Sequence, residues 1–407
     1  MSESTAASSA TDRRGTFAEV LLAFLRLGMT SFGGPIAHLG YFRAEFVARR
    51  RWLEEHVFAE LVAVCQLLPG PASSQVAFSI GLSRAGYPGA LAAWIGFTLP
   101  SALVMLAVAY GVDWMHGPRI AGVMHGLQLV AVPVVAQAVW LMGRRLCPDW
   151  PRRAIGVGGF VVTLAMHSTL GSLTAIAFGA IAGAIWCEDR AVAPEAPSVS
   201  VSRRARVGAL VAYVVLLLLP PVIWVATRYQ PVALFSAFYR SGALVFGGGH
   251  VILPLLREAV VIPGWVSDAQ FLTGYGAAQA VPGPLASFSA YLGAVMGPAP
   301  NGLVGAAIAL VAIFLPGSLL VLGVLPFWNE VRNWRWMQGA LAGINASVVG
   351  LLAAALVNPI WPAAVLSWTD AAIALAAFGL LIGPKVPPIL IVLVTALTSA
   401  ILAQPLR

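Results

Sequence analysis

The chain has 407 residues, 59% of them hydrophobic and only 10% charged, with a mean hydropathy of +0.86. An ordinary soluble domain carries about 25% charged residues. This composition therefore excludes a soluble enzyme, a secreted disulfide scaffold and a nucleic-acid-binding domain, and it predicts an all-α polytopic integral membrane protein. The net charge of +8 falls between apolar segments, where basic residues act as orientation signals and not as a nucleic-acid surface.

In chain order, residues 1–16 are polar and read as a cytoplasmic tail. About thirteen hydrophobic segments follow, bounded by Gly, Pro or Arg clusters. They cover 17–37, 57–69, 72–83, 89–111, 120–142, 154–167, 169–187, 207–226, 232–249, 270–297, 303–326, 338–357, 370–383 and 387–403, the last two forming a final pair. Several are too short to span a bilayer, which takes about 20 helical residues. Short segments interrupted by Gly and Pro predict broken or re-entrant helices. The stretch 188–206 is rich in Pro, Ser and charge and reads as a linker.

On either side of that linker the sequence repeats itself. FLRLGMTSFGG from Phe24 matches FYRSGALVFGG from Phe238, and QLLPGPASS from Gln66 matches QAVPGPLAS from Gln279. Trp52 pairs with Trp265, Pro100 with Pro316, and the region of Gly126 with that of Gly343. The predicted organisation is a first repeat over 17–187, the linker 188–206, a connecting transmembrane helix 207–226 and a second repeat over 232–403.

The arginines orient the two repeats. The segment 43–51 holds Arg43, Arg49, Arg50 and Arg51, whereas its counterpart holds only Arg257. The loop with Arg144, Arg145, Arg152 and Arg153 corresponds to one around 358–370 with no basic residue. By the positive-inside rule the halves are expected in opposite orientations, with the N-terminus cytoplasmic and the C-terminus periplasmic. If both Arg-rich loops are cytoplasmic, 52–84 returns to the side it leaves, reversing at the LPGP break, unless all thirteen segments cross.

The residues able to carry chemistry sit at matched points. Arg26 and Arg240 lie within apolar runs, where a charge costs roughly 2.5–3.5 kcal/mol. A lone arginine there can simply snorkel to the interface; two at equivalent positions favour a function. Each presents a planar fork of five donors suited to an oxyanion. Gly33, Gly34, Gly247 and Gly248 follow, and they either allow tight helix packing or break the helix and expose backbone N–H groups to an anion. The breaks Pro69, Gly70, Pro71 and Pro282, Gly283, Pro284 cannot continue a helix. Gln66 and Gln279, which precede them, can satisfy freed backbone groups or bind substrate. His38, Ser74, His250, Ser287 and Asn345 are further candidates. Asp113, Glu258, Asp268 and Asp370 lie near segment ends, and none is placed as an evident proton carrier. Cys65, Cys147 and Cys187 are scattered, no histidine pair has metal-ligand spacing, and no nucleotide-binding motif is present, so no metal or cofactor is expected.

Together, FLRLGMTSFGGPIAHLGYFRAEFVARRRWL, QLLPGP, FGGGHVILPLL and QAVPGP resemble the chromate ion transporter family in its long, two-domain form. The resemblance runs over almost the whole chain outside the N-terminal tail and the linker. It implies a secondary transporter of the bacterial inner membrane that exports chromate from the cytoplasm and confers chromate resistance, with sulfate as competitor or counter-substrate. The residues alone support only an anion, and an uptake carrier for sulfate or another oxyanion is the alternative. A membrane enzyme such as a chromate reductase is disfavoured because no flavin, haem or metal motif is present. Gly249 stands where Pro35 would match, so the halves need not contribute equally. A homodimer is the default expectation for assembly.

Overall fold

The computed structural model describes residues 15–112, 118–166, 171–187, 201–246, 251–325, 334–383 and 386–402, and among these every regular element is a helix. The first three stretches hold α1 (Phe17–Thr30), α2 (Gly34–Phe42), α3 (Glu55–Leu67), α4 (Ala72–Val112), α5 (Pro118–Leu146), α6 (Trp150–Ala165) and α7 (Gly171–Trp186). Then come α8 (Arg203–Thr227), α9 (Gln230–Ala243), α10 (Ile252–Val260), α11 (Asp268–Ala280), α12 (Phe288–Val295) and α13 (Gly302–Val324). The chain ends with α14 (Arg335–Ala355), α15 (Trp368–Ile382) and α16 (Pro388–Leu402). Among the described residues five stretches are long and apolar enough to cross a membrane: 72–111, 121–146, 203–227, 302–324 and 336–364.

Local chemistry sets the boundaries. Thr16 caps α1 by accepting from the Glu19 amide, and Ser267 and Gln270 form a capping box at the start of α11. Gly33 ends the first break in the left-handed region at φ 97°, a conformation that glycine adopts without strain. α4 is two helices joined at Ala85 and Gly86, where φ reaches 64° at the glycine, in agreement with the separate runs 72–83 and 89–111. The run 17–37 divides into α1 and α2, and 270–297 divides at Pro282 and Pro284 into α11 and α12. Hydropathy gave no element over 252–260, because Arg257 and Glu258 dilute the signal. The helix there, α10, buries Ile252, Leu253, Leu255 and Leu256.

The path of the first half follows from contacts at its ends. Phe24 of α1 packs against Phe42 at the end of α2 and against Phe46, with ring centroids 5.7 and 4.7 Å apart, so α2 runs back along α1. The Gly15 amide donates to the Arg84 carbonyl at 2.9 Å, Arg84 pairs with Glu19 at 3.1 Å, and the guanidinium groups of Arg50 and Arg84 both lie over the Trp52 ring. The start of α1, the connection at 50–52 and the end of the first segment of α4 thus share one side. In the second half the Gly297 amide donates to the Trp265 carbonyl at 2.9 Å, bringing the end of α12 beside the start of α11. Two ion pairs stand at matched positions: Arg43 with Glu55 at 2.6 Å and Arg257 with Asp268 at 2.9 Å.

The halves also exchange helices. α6 and α7 pack on α14, and α15 and α16 pack on α5. Small residues make the approach close, as at helix interfaces in membranes. Gly179 and Gly183 of α7 face Gly343 and Gly339 of α14 so tightly that an added Cβ would collide with backbone. Gly126 of α5 meets Thr395 and Ala396 of α16 in the same manner.

Candidate functional site

The two Pro-Gly-Pro breaks meet at one small cavity. Gly70 holds φ 132° and its amide donates to the carbonyl of Val245, just past α9, at 2.7 Å. Gly283 holds φ 99° and its amide donates to the carbonyl of Ser31, just past α1, at 3.0 Å. Gly70 and Gly283 are matched in the sequence repeat, as are Ser31 and Val245, so each break docks on the opposite half.

Between them lies a cavity of about 10 Å³ lined by Pro35, Pro71, Ala72, Ser73, Ile252, Leu285 and their neighbours. Most of these residues belong to first turns: Pro35 of α2, Ala72 and Ser73 of α4, Ile252 of α10, and Leu285 of the 3₁₀ turn Leu285–Ser287 that leads into α12. The starts of three helices, α2, α4 and α10, and the 3₁₀ turn before α12 therefore border one cavity. First-turn N–H groups have no partner inside their own helix, and each N-terminus carries roughly half a positive charge.

Buried polar groups surround this point. The Gln75 amide nitrogen donates to the Pro69 carbonyl at 2.9 Å, which the break leaves free, and approaches the Gly317 carbonyl at 3.4 Å. His38 is 1% exposed, with Nδ1 3.4 Å from the Ser73 hydroxyl. Its Nε2, Ser31 Oγ, Ser74 Oγ, Gln75 Oε1 and Gln279 Nε2 are buried without a hydrogen-bond partner; Asn345 Oδ1 on α14 is also buried and unpartnered but lines neither cavity. Such orphan atoms are uncommon and mark sites that receive water or ligand. Ser287 is buried in the 3₁₀ turn before α12.

Not every candidate converges here. Gln66 accepts a hydrogen bond from Arg145 at the end of α5. Arg26 is exposed on a face of α1 with Leu22, Met29 and Thr30, and it lines neither this cavity nor the larger one. Arg240, itself exposed, lines a separate, open cavity of about 550 Å³ bordered by α8, α9, α10 and the start of α7. Gly247, Gly248 and His250 lie outside the described residues, as does Asp113. Among the described residues no cluster has the make-up of a metal site.

Sequence reasoning missed Ser73, Gln75 and Arg145, and it placed Glu258 only as an end-of-segment residue. Glu258 did leave a trace: its counterpart in the first half is Ala44, and a charge present in one repeat only marks a position where the halves differ.

The sequence profile described as Chromate transporter matches residues 18–227 and 232–400, two successive regions that abut between α8 and α9. The chain belongs to the chromate transporter family. This is a family of transporters, not of enzymes. Chromate transport protein of Pseudomonas aeruginosa is 29% identical over 350 residues, covering 84% of this chain and 81% of that protein. Chromate transport protein of Cupriavidus metallidurans is 26% identical over 358 residues, 84% of this chain and 82% of its own length. The uncharacterized transporter YwrA of Bacillus subtilis is 28% identical over 144 residues, 35% of this chain but 79% of that protein. No solved structure gives a significant match. In this chromate transporter family member the matched regions take in both breaks and every element that frames the two cavities.

Proposed function

We propose that this chain exports chromate from the cytoplasm across a bacterial inner membrane, and so confers chromate resistance, by binding the anion where the two breaks meet. The observation that carries this reading is the exchanged pair of amide bonds, Gly70 to Val245 and Gly283 to Ser31, with the starts of α2, α4 and α10 bordering the cavity between them. The N-termini of α2, α4 and α10 contribute about one and a half positive charges in sum, which goes far toward complementing a dianion without any ionisable side chain. Family membership and the names of the relatives support chromate as the cargo.

In this reading the halves are inverted repeats and α8 is the odd crossing between them. The stretches 17–42 and 55–84, and their counterparts in the second half, are re-entrant hairpins whose tips touch at mid-membrane. The N-terminus is cytoplasmic and the C-terminus periplasmic. A cavity of about 10 Å³ holds at most one water, so the tips part to admit an oxyanion, first toward one face and then toward the other. Gly33, Gly34 and the two Pro-Gly-Pro breaks form the hinge and the binding edge, Gln66 and Gln279 flank them, and Arg26 and Arg240 attract the anion along its path.

Everted vesicles carrying this protein are expected to accumulate labelled chromate beyond control vesicles. Uptake equal to the control overturns the proposal, and cells made more sensitive to external chromate by the protein identify an uptake carrier instead.

A further inference from the structure

The larger cavity, of about 550 Å³ between α8, α9 and α10, joins one cation to one carboxylate. Arg240 reaches it from the last turn of α9 and makes no side-chain hydrogen bond or ion pair among the described residues. Glu258 faces it from α10, half-buried, with the Ser172 hydroxyl of α7 donating to Oε1 at 2.5 Å. The remaining wall is uncharged: α8 contributes Pro221 and Trp224, and Trp265 closes the edge. Two further cations lie close by, and neither changes its charge between neutral and acid pH. Arg257, beside Glu258 on α10, is bound in two hydrogen bonds to Asp268 of α11, and Arg228 past α8 lies over Trp224.

The local charge therefore depends on one proton. With Glu258 ionised, Arg240 and Glu258 cancel and a dianion meets no net attraction. With Glu258 protonated, the cavity carries one uncompensated guanidinium whose fork suits a tetrahedral oxyanion. We propose that this cavity is a second oxyanion site, an antechamber to the central one, at which binding of the anion at Arg240 is coupled to a proton carried by Glu258. The inference rests on the proposed function and adds the coupling ion to it. Among the described residues the first half shows no equivalent, because Ala44 stands at the position of Glu258 and Arg26 lines no cavity, whereas Arg240 shares one with Pro221 and Trp224 of α8. Coupling is thus confined to one side of the cycle.

The test is calorimetric titration of the full chain in zwitterionic nanodiscs with sulfate, which remains a dianion from about pH 5 to about pH 8, and in parallel with chromate. One-proton coupling predicts that affinity falls about tenfold per pH unit above the midpoint. Glu258→Gln should flatten that slope while keeping the acid-side affinity. Ser172→Ala, which removes a donor to the carboxylate, should move the midpoint upward by about one unit. Arg240→Ala should lose this binding at every pH. A wild-type slope in Glu258→Gln overturns the inference and leaves the proposed function standing, whereas no binding of either anion at any pH removes both. Loss of binding when phosphatidylglycerol is added to the nanodiscs assigns Arg240 to a lipid headgroup and also overturns the inference.

Discussion

The amide of Gly70 donates to the carbonyl of Val245 across 2.7 Å, and the equivalent glycine of the other half, Gly283, donates to Ser31, the equivalent of Val245. Each break is therefore completed by the half to which it does not belong. Both glycines hold positive φ, and both sit against the other half's long helix: a Cβ on Gly70 would come within 3.1 Å of Gly317 Cα, and one on Gly283 within 2.9 Å of Ser101 Oγ. Gly70→Ala and Gly283→Ala should each destabilise the protein by about 2 kcal/mol and lower chromate transport together with thermal stability. Thermal unfolding in detergent, read beside vesicle uptake, checks this. An unchanged melting temperature in both variants would show that the contact is slack.

The two arginines have different surroundings, so their substitutions should differ. Arg240→Ala should abolish chromate resistance, and Arg240→Lys should keep a part of it, since the charge remains and the fork is lost. Arg26→Ala, on an open face of α1, should impair transport less than Arg240→Ala. Resistance measured at matched membrane abundance decides. Equal loss in both Ala variants would restore a symmetric role.

Opposite orientation of the halves can be read chemically. Arg51→Cys and Ile262→Cys place thiols in exposed connections at comparable points of the two repeats. An impermeant maleimide should label the first only from the cytoplasmic side and the second only from the periplasmic side. The three native thiols are buried, and burial, with Asp149 nearby, pushes Cys147 up to about 11, so background labelling should be low. Labelling of both new thiols from one side refutes the inversion.

The Arg-rich connection after α2 carries a pH signature. Burial of Glu45 raises its pKa, but hydrogen bonds and charge from Arg50 and Arg49, at 2.6 and 2.8 Å, outweigh that and leave it below the ordinary carboxylate value. A carboxylate with a depressed folded-state pKa stabilises above its unfolded value and loses that contribution as pH falls through the folded one. Glu45→Gln should therefore lower the melting temperature near neutrality, and the gap to wild type should close below about pH 4. A gap that persists in acid would mean that Glu45 acts by packing and not by charge.

Much of this architecture was legible in the residues, and the limits were physical. Pro and Gly forbid regular helix locally, so the breaks at 68–71 and 282–284 could be placed from sequence. Hydropathy cannot see a helix whose polar side lines a cavity, which is why α10, with Arg257 and Glu258, escaped. It also cannot see three-dimensional neighbours. Nothing in the spacing of Arg145 and Gln66, or of Ser172 and Glu258, announces that they touch. The matched arginines implied a common destination, whereas only Arg240 shares a cavity with α8.

The exchange of α6 and α7 onto α14, and of α15 and α16 onto α5, bears on how the molecule is made. The ribosome delivers α6 and α7 well before α14 exists. Until then their glycine faces rest against lipid or a provisional neighbour. The native arrangement cannot close until the last helices have been released, and truncation after α13 should leave a product whose early helices are inserted but unpaired, an easy target for membrane quality-control proteases.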